Sequence, residues 1–273
     1  MPSFPKSLMI LCLSLLAGCG ADPASSNPPK PQPPLQQPPL PVITPGLALP
    51  DNRAGARFEV LLFGNSHVQS HDLAVMLQLM LQQGRPQATS RVQLADDWAF
   101  LDERVNDGRS WSLLQSQPWT HLVLQGQKYS TTGQYSYSID ASLYWIALAK
   151  QLQITPVLFP EHARAGNNEE GERVYLLHQR IARQEAACVA PIPLGWYQLM
   201  QQTGLLLHEA DGNHANKTGA AFTAFILYQV LSGDPADQLA SIPALNISAA
   251  VQQQLRQWAS ATLQQYPACA FAG

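Results

Sequence analysis

FEVLLFGNSH, residues 58–67, is the stretch that decides the fold class of this 273-residue chain. Its first six residues, Phe58–Phe63, form a run of strand length that is apolar apart from Glu59 and ends at Gly64. A strand that is apolar on both faces is typical of parallel sheets, in which helices cover both sides. Ser66 follows in the polar turn after the strand. The stretch therefore predicts a buried parallel strand with chemistry at its carboxyl end.

The same alternation of short apolar strands and longer helices continues to the end of the chain. Further strands are predicted at Arg91–Ala95, His121–Leu124, Thr155–Phe159 and, near a sheet edge because of two prolines, Val189–Leu194. Helices are predicted at Leu73–Gln83, Ile139–Gln153, Glu169–Ala187, Asn216–Leu231 and Ile247–Tyr266. This alternation indicates the α/β class, as a three-layer α/β/α sandwich around a mainly parallel five-stranded sheet.

The composition narrows the classes of partner. The chain carries 16 basic and 19 acidic side chains, a formal net charge of −3. Nucleic-acid binding is not expected, because nothing resembles the basic surface that neutralises phosphates. No apolar run reaches the roughly 18 residues that cross a bilayer, which argues against a polytopic membrane protein.

The N-terminus has the pattern of a secretory signal. Lys6 precedes the apolar stretch Leu8–Ala17, and Leu16-Ala17-Gly18-Cys19 resembles the lipobox of bacterial lipoproteins. Residues 1–18 are therefore predicted to be a lipoprotein signal peptide, with Cys19 as the lipidated first residue of the mature chain. An ordinary cleavage site beside a chance cysteine is the alternative. Gly20 in place of Asp implies the outer membrane, facing the periplasm, as the destination.

Residues 19–50 are predicted to be a tether, because 11 of the 22 prolines lie between Pro23 and Pro50. The folded domain is then predicted to be residues 51–273. Of the four cysteines, Cys12 leaves with the signal and Cys19 takes the lipid. Cys188 and Cys269 remain as a disulfide pair in an oxidising compartment, with two free thiols as the alternative.

Three residues at predicted loop positions suggest nucleophilic catalysis. Ser66 lies in a glycine-led turn after the first strand, and Asp211 precedes His214 by three positions late in the chain. A histidine oriented by an aspartate can take the proton of a serine, which makes the serine a nucleophile. The alternatives are that Ser66 only caps the next helix and that His214 is a surface residue. No G-x-S-x-G elbow is present, which argues against an α/β-hydrolase.

The chain resembles the SGNH (GDSL-type) hydrolase superfamily in the order of these motifs. Gly64-Asn65-Ser66 looks like the first block, Gly108 like the second, Gly126 like the third, and Asp211-x-x-His214 like the fifth. The resemblance implies an SGNH/flavodoxin-like sandwich with Ser66 as nucleophile, His214 as base and Asp211 as its partner. The backbone N–H groups of Ser66 and Gly108 are then the expected oxyanion donors. The triad requires neither a cofactor nor a metal.

The third block departs from the family pattern G-x-N, because this chain reads Gly126-Gln127-Lys128. The asparagine that donates to the oxyanion is missing from its usual place. A glutamine amide is expected to replace it, and Gln127 is favoured over Gln125 because it lies one position before the family's asparagine.

Together these features predict a lipid-anchored serine esterase that removes an acetyl or another small acyl group from a glycan or related ester of the cell envelope. The expected partners are that ester and a membrane. Two alternatives remain open, an O-acyltransferase with the same triad and a noncatalytic envelope binding protein that retains the fold.

Several other residues admit two interpretations. His67 and His71 lie four apart, as metal ligands on a helix do, but no carboxylate or cysteine completes a set. Glu161-His162 follows a predicted strand and belongs either to the cleft or to a plain loop. Any of the six tryptophans, Trp98, Trp111, Trp119, Trp145, Trp196 and Trp258, could stack on a sugar, although core packing is the default for most.

Overall fold

Five parallel strands form the centre of the computed structural model, which describes residues 41–271. The strands are β1 (Arg57–Phe63), β2 (Thr89–Leu94), β3 (His121–Leu124), β4 (Thr155–Leu158) and β5 (Cys188–Val189). Their order in the sheet is β2-β1-β3-β4-β5. In this order the chain reverses direction across the sheet between β1 and β3, which is where open α/β folds place their ligands.

The α-helices of the described residues are α1 (Ser66–Gln69), α2 (Leu73–Gly84), α3 (Leu101–Val105), α4 (Arg109–Gln115), α5 (Asp140–Gln151), α6 (Asn168–Gln184), α7 (Ile192–Thr203), α8 (Lys217–Ser232) and α9 (Ala249–Gln265). Of these, α1 to α6 connect the strands and α7 to α9 follow the last strand. In residues 41–271, no helix is both long and apolar enough to cross a bilayer.

Alternating residues of β1 enter two separate cores, as expected for a strand covered on both faces. Val60 and Leu62 pack with α2, α7, α8 and α9, while Leu61 and Phe63 pack with α3, α4, α5 and α6. All four side chains are fully buried. The predicted three-layer α/β/α sandwich around a parallel five-stranded sheet is confirmed.

The fold differs from the sequence prediction at the second sheet edge. β5 spans only Cys188–Val189, and Ile192–Thr203 is the helix α7 rather than a continuation of the strand. Pro191 precedes α7 and Pro193 lies in its first turn. A proline is tolerated there because the first N–H groups of a helix have no partner within the helix. The short helices α3 and α4 lie between β2 and β3, where the sequence pattern predicted an irregular segment.

Both ends of the domain are attached to its body. The structure joins Cys188 to Cys269 by a disulfide, and Val189 N–H donates to Ala268 O at 2.8 Å, so the segment after α9 runs beside β5.

The predicted tether extends to residue 50, but its last residues contact the domain. Gly46 N–H donates to Glu185 at 3.1 Å, and Lys150, which also pairs with Glu185, donates to Leu47 O at 2.6 Å. The folded body thus begins before Asp51. The predicted signal peptide, Cys19 and residues 19–40 of the tether lie outside the described residues.

Candidate active site

The turn after β1 brings Ser66 to the carboxyl edge of the sheet. Asn65 is the N-cap of α1, with its side chain accepting His67 N–H at 3.1 Å. Ser66 is therefore the first residue of α1 and not its cap. Gly64 must be a glycine, because a Cβ there would lie 2.3 Å from Gln125 Oε1 and 2.7 Å from Val68 Cγ2.

A tight loop before α8 delivers Asp211 and His214 together. Asp211 Oδ1 accepts the backbone N–H groups of Asn213 at 2.9 Å and of His214 at 3.0 Å. Asp211 Oδ2 lies 2.6 Å from His214 Nδ1. The hydrogen bonds from the His214 side chain and from these two N–H groups lower the pKa of Asp211, so the carboxylate stays ionised.

Ser66 meets this loop across 148 positions of sequence. Its Oγ lies 2.8 Å from His214 Nε2, while Nδ1 of the same ring faces Asp211. Nδ1 donates to the carboxylate, which leaves Nε2 as the acceptor for the serine proton. The three residues therefore have the connectivity and the distances of a Ser–His–Asp triad.

A second histidine, His162, is hydrogen-bonded to the loop that carries Asp211 and His214. His162 Nε2 is 3.0 Å from Asn213 O, and because a carbonyl only accepts, this nitrogen carries the proton. The His162 ring stacks on Trp196 with centroids 3.8 Å apart. Burial lowers the pKa of His162 well below its usual value, so the ring is neutral. Glu161-His162 thus belongs to the site and not to a plain loop.

The two expected backbone donors to the oxyanion, the N–H groups of Ser66 and Gly108, lie at the starts of different helices. Within residues 41–271, the Ser66 N–H at the start of α1 has no acceptor, so it is free to donate to a ligand. Gly108 is the N-cap of α4 with φ of 67°, and its carbonyl accepts Ser112 N–H.

The preference for Gln127 as the third donor is corrected by its contacts. Its amide nitrogen donates to Lys128 O at 2.8 Å and Ser138 O at 2.9 Å, and its oxygen accepts from Ser142 at 2.7 Å. Both N–H groups are therefore used in holding the segment after β3. Side chains two positions apart on an extended chain share a side, but Gly126 between these two has φ of 100°, which interrupts the extended backbone and lets the two glutamines face different neighbours.

Gln125 contacts the turn that carries Ser66, residues 64–67, which we call the nucleophile turn. The contact is made by the side-chain oxygen of Gln125. Gln125 Oε1 accepts Asn65 N–H at 2.7 Å, and its amide nitrogen donates to Glu161. The side chain is fully buried. In this orientation Gln125 supports the turn and does not present a donor to an oxyanion.

The buried Arg104 also contacts the site, although it was not among the residues predicted from the sequence. Its guanidinium donates to Gly64 O at 2.8 Å and also to Asp97 O. Ala99 N–H donates to the same Gly64 oxygen at 3.3 Å. The segment after β2 is therefore fixed against the nucleophile turn, and no local pattern around Arg104 signals this long-range contact.

This segment carries Trp98, whose exposed fraction is 64%. By contrast Trp119, Trp145 and Trp196 are buried, and Trp111 and Trp258 are partly buried. Trp98 lies between Asp97, whose carbonyl accepts from Arg104, and Ala99, whose N–H donates to Gly64 O. Of the six tryptophans, it is the one that is largely exposed.

The two histidines considered as a metal pair contact different carboxylates. His67 Nε2 lies 3.6 Å from Glu161, whereas His71 Nε2 lies 2.6 Å from Glu209. His71 and the next residue, Asp72, both have positive φ, which turns the chain between α1 and α2. Residues 41–271 contain no group of three histidine, cysteine or acidic side chains suited to a metal ion.

Comparison with known proteins gives similarity at the level of structure. No family model matches the sequence, and no curated protein matches it. A candidate SGNH hydrolase from Slackia heliotrinireducens is 18% identical with a TM-score of 0.53, over 63% of this chain and 98% of that one. A DUF4886 family protein from Bacteroides uniformis is 12% identical with a TM-score of 0.61, over 77% of this chain and 96% of that one. The chain therefore has the SGNH-like fold that its sequence motifs predict.

Proposed function

We propose that this domain is a serine esterase of the SGNH type. The observation that carries the proposal is the Ser66–His214–Asp211 arrangement, with consecutive hydrogen bonds of 2.8 and 2.6 Å. A serine held against the acceptor nitrogen of a histidine, whose other nitrogen faces a carboxylate, is the arrangement that activates a hydroxyl for acyl transfer. The position of the site at the β1/β3 switch point supports the same function.

The reaction follows from the roles of these three residues. His214 Nε2 takes the Ser66 proton as Oγ attacks the ester carbonyl, and Asp211 stabilises the imidazolium that forms. The Ser66 N–H, and Gly108 N–H by the resemblance, stabilise the developing oxyanion. His214 then returns the proton to the leaving alcohol. Water, activated by the same histidine, attacks the acyl-enzyme and releases the carboxylic acid and Ser66.

The proposed substrate is an acetyl or other small acyl ester on a glycan of the envelope or its surroundings. Trp98 supports a sugar as the leaving group, because an open indole face offers a surface on which an apolar sugar face can stack. The predicted export of the chain supports the same class of substrate.

We also propose that Cys19 anchors the mature chain to the outer membrane through its lipid, leaving the domain in the periplasm. Cys19→Ala should release the protein from the membrane fraction or leave it unprocessed by the lipoprotein route. Labelling with a fatty-acid analogue should mark the wild type and not the variant. Equal labelling of both would contradict the proposal.

Ser66→Ala tests the esterase function itself. The kcat for p-nitrophenyl acetate should fall by about 10³-fold or more, because no other group can form the acyl-enzyme. Thermal unfolding should be unchanged within a few degrees, because alanine fits the first turn of α1. A variant that keeps more than about a tenth of wild-type kcat would contradict the assignment of Ser66 as the nucleophile.

A further inference from the structure

Glu161 is a buried carboxylate that the proposed reaction does not use. It lies three residues beyond the carboxyl end of β4 and is 7% exposed. Its Oε1 accepts from Gln125 Nε2, and its Oε2 accepts from Tyr129 Oη at 3.1 Å. Oε2 also lies 3.6 Å from His67 Nε2. Burial of a carboxylate costs free energy unless its oxygens have polar partners. These three neighbours supply the partners, and they are the contacts through which Glu161 can act.

One oxygen of Glu161 determines how the Gln125 amide is oriented. The nitrogen of a glutamine amide donates hydrogen bonds and its oxygen accepts them. A rotation of the amide by 180° exchanges the positions of these two atoms. Glu161 Oε1 accepts from the Gln125 nitrogen, which turns the Gln125 oxygen towards Asn65 N–H at 2.7 Å. The carboxylate therefore ensures that Asn65 N–H in the nucleophile turn has an acceptor.

The other oxygen of Glu161 faces the histidine that packs against the base. His67 is 9% exposed at its side chain, and its ring stacks on His214 with centroids 5.2 Å apart and planes 29° apart. His67 Nδ1 is buried and has no hydrogen-bond partner in residues 41–271. The Glu161 contact is thus the polar restraint on a ring that supports the His214 ring.

The charge state of these neighbours suits this arrangement. Burial lowers the pKa of His67, so the ring stays neutral beside a His214 that must become an imidazolium. Burial beside Glu161 and Glu170 raises the pKa of Tyr129, so its hydroxyl remains a donor to the carboxylates.

We propose that Glu161 is a positioning residue for the reaction, acting on the nucleophile turn through Gln125 and on the His214 ring through His67. This inference rests on the proposed esterase function. One carboxylate then fixes both partners of the Ser66–His214 hydrogen bond, although it touches neither the substrate nor Ser66.

Glu161→Gln is the first test, because a glutamine at this position can donate as well as accept and no longer fixes the Gln125 amide. The kcat for p-nitrophenyl acetate should fall by about 10- to 100-fold, as expected for a displacement of catalytic atoms by a fraction of an ångström. KM should stay within about twofold, because the substrate contacts are unchanged. Wild-type kcat in this variant would overturn the proposal.

The exchanged pair Gln125→Glu with Glu161→Gln separates a positioning role from general damage. A carboxylate at 125 can accept Asn65 N–H, and an amide at 161 can donate to that carboxylate, so Asn65 N–H keeps its acceptor and the hydrogen bond between 125 and 161 re-forms with its direction reversed. The double variant should recover at least about tenfold of the kcat lost in Glu161→Gln, a coupling that a double-mutant cycle measures. A double variant no better than Glu161→Gln would overturn the role assigned to Gln125.

Glu170→Gln is the matched control. Glu170 is also a fully buried carboxylate and also accepts from Tyr129, at 3.3 Å, but its other oxygen accepts Arg164 N–H and not the nucleophile turn. Its kcat should remain within about twofold of the wild type, whatever its effect on stability. A loss of kcat equal to that of Glu161→Gln would overturn a specific role for Glu161.

Hydrogen exchange of the Asn65 amide gives a readout that does not need activity. Glu161→Gln should raise this exchange rate about tenfold or more, because the Gln125 acceptor is lost, and the exchanged pair should restore protection. Equal exchange in the wild type and Glu161→Gln overturns the inference. A wild type that shows the protection but hydrolyses no ester contradicts the proposed function alone.

Discussion

The two halves of the Ser–His–Asp arrangement are held in different ways. The nucleophile turn, residues 64–67, is fixed by buried side chains from distant parts of the chain, Arg104, Gln125 and Glu161. The pairing of Asp211 with His214 rests on bonds between residues three or fewer positions apart, although His162 also donates to Asn213 O of the same loop, and the Asp211 and His214 side chains are 49% and 33% exposed. The position of the nucleophile is therefore a property of the tertiary structure, while the His–Asp pair is built locally.

The largest effect is expected on the loop side, from Asp211→Asn. The asparagine oxygen can still accept the Asn213 and His214 N–H groups, so the loop should keep its shape. Its amide cannot stabilise the imidazolium, and the kcat for p-nitrophenyl acetate should fall by about 10⁴-fold. The midpoint of thermal unfolding should change little, because Asp211 is half exposed. A clear fall in the midpoint of thermal unfolding would contradict a purely local role.

Acid should destabilise the folded state through two buried histidines, one in β3 and one beside the loop with Asp211 and His214. Burial lowers the pKa of His121, in β3, to about 3, and lowers that of His162, beneath the loop, well below its usual value. Above about pH 6.5, where histidine in an unfolded chain titrates, each ring is neutral in both states and costs nothing.

Below that pH the unfolded chain binds protons that the folded rings do not. The free energy of unfolding should therefore fall by roughly 1.4 kcal/mol per pH unit for each such histidine. For His121 this loss continues to about pH 3. Urea unfolding of wild type and His121→Phe between pH 7 and 5 measures the two slopes. Identical slopes would show that His121 is not neutral in the folded state.

On the turn side, Gly64→Ala should affect stability and activity together. The new Cβ would meet Gln125 Oε1 at 2.3 Å and Val68 at 2.7 Å, so the turn must shift. We expect a loss of about 1–3 kcal/mol in the free energy of unfolding and a drop in kcat of about tenfold or more.

Gly204→Ala is the control for this substitution. Gly204 has φ of 69° but no atom within 4 Å of an added Cβ, and it lies at the end of α7. It should cost about 1 kcal/mol of stability through backbone strain with no change in kcat. Equal kcat in both variants would contradict the tight packing of the nucleophile turn.

The smallest effect is expected at the rim, from Trp98→Ala. A lost stacking contact of about 1 kcal/mol, the size found for aromatic pairs, should raise KM for an acetylated oligosaccharide about fivefold. The kcat/KM for p-nitrophenyl acetate should not change, and Trp98→Phe should keep most of the affinity for the oligosaccharide. An unchanged KM in Trp98→Ala would contradict a sugar-binding role for this tryptophan.

The features predicted from the sequence are those written in short stretches of it. Apolar runs such as Phe58–Phe63 locate strands because the pattern itself is the cause of burial. The pairing of Asp211 with His214 is visible because three positions are enough to bring an aspartate back to the histidine ring. The contacts of Arg104 with Gly64, of Glu161 with Gln125 and of Cys188 with Cys269 span 40, 36 and 81 positions. Only for the cysteines did the residue type itself suggest the pairing.

By itself the sequence determined the α/β class, the strand ends that carry polar residues, and the order Ser66, Asp211, His214. These depend on the local periodicity of apolar residues and on motifs of a few positions. The tertiary structure alone decided that Gln125 and not Gln127 faces the turn, that its oxygen rather than its nitrogen does so, and that Trp98 is exposed. A flip of an amide or the exposure of one ring depends on which atoms lie opposite it, and those atoms come from strands and loops far away in the chain.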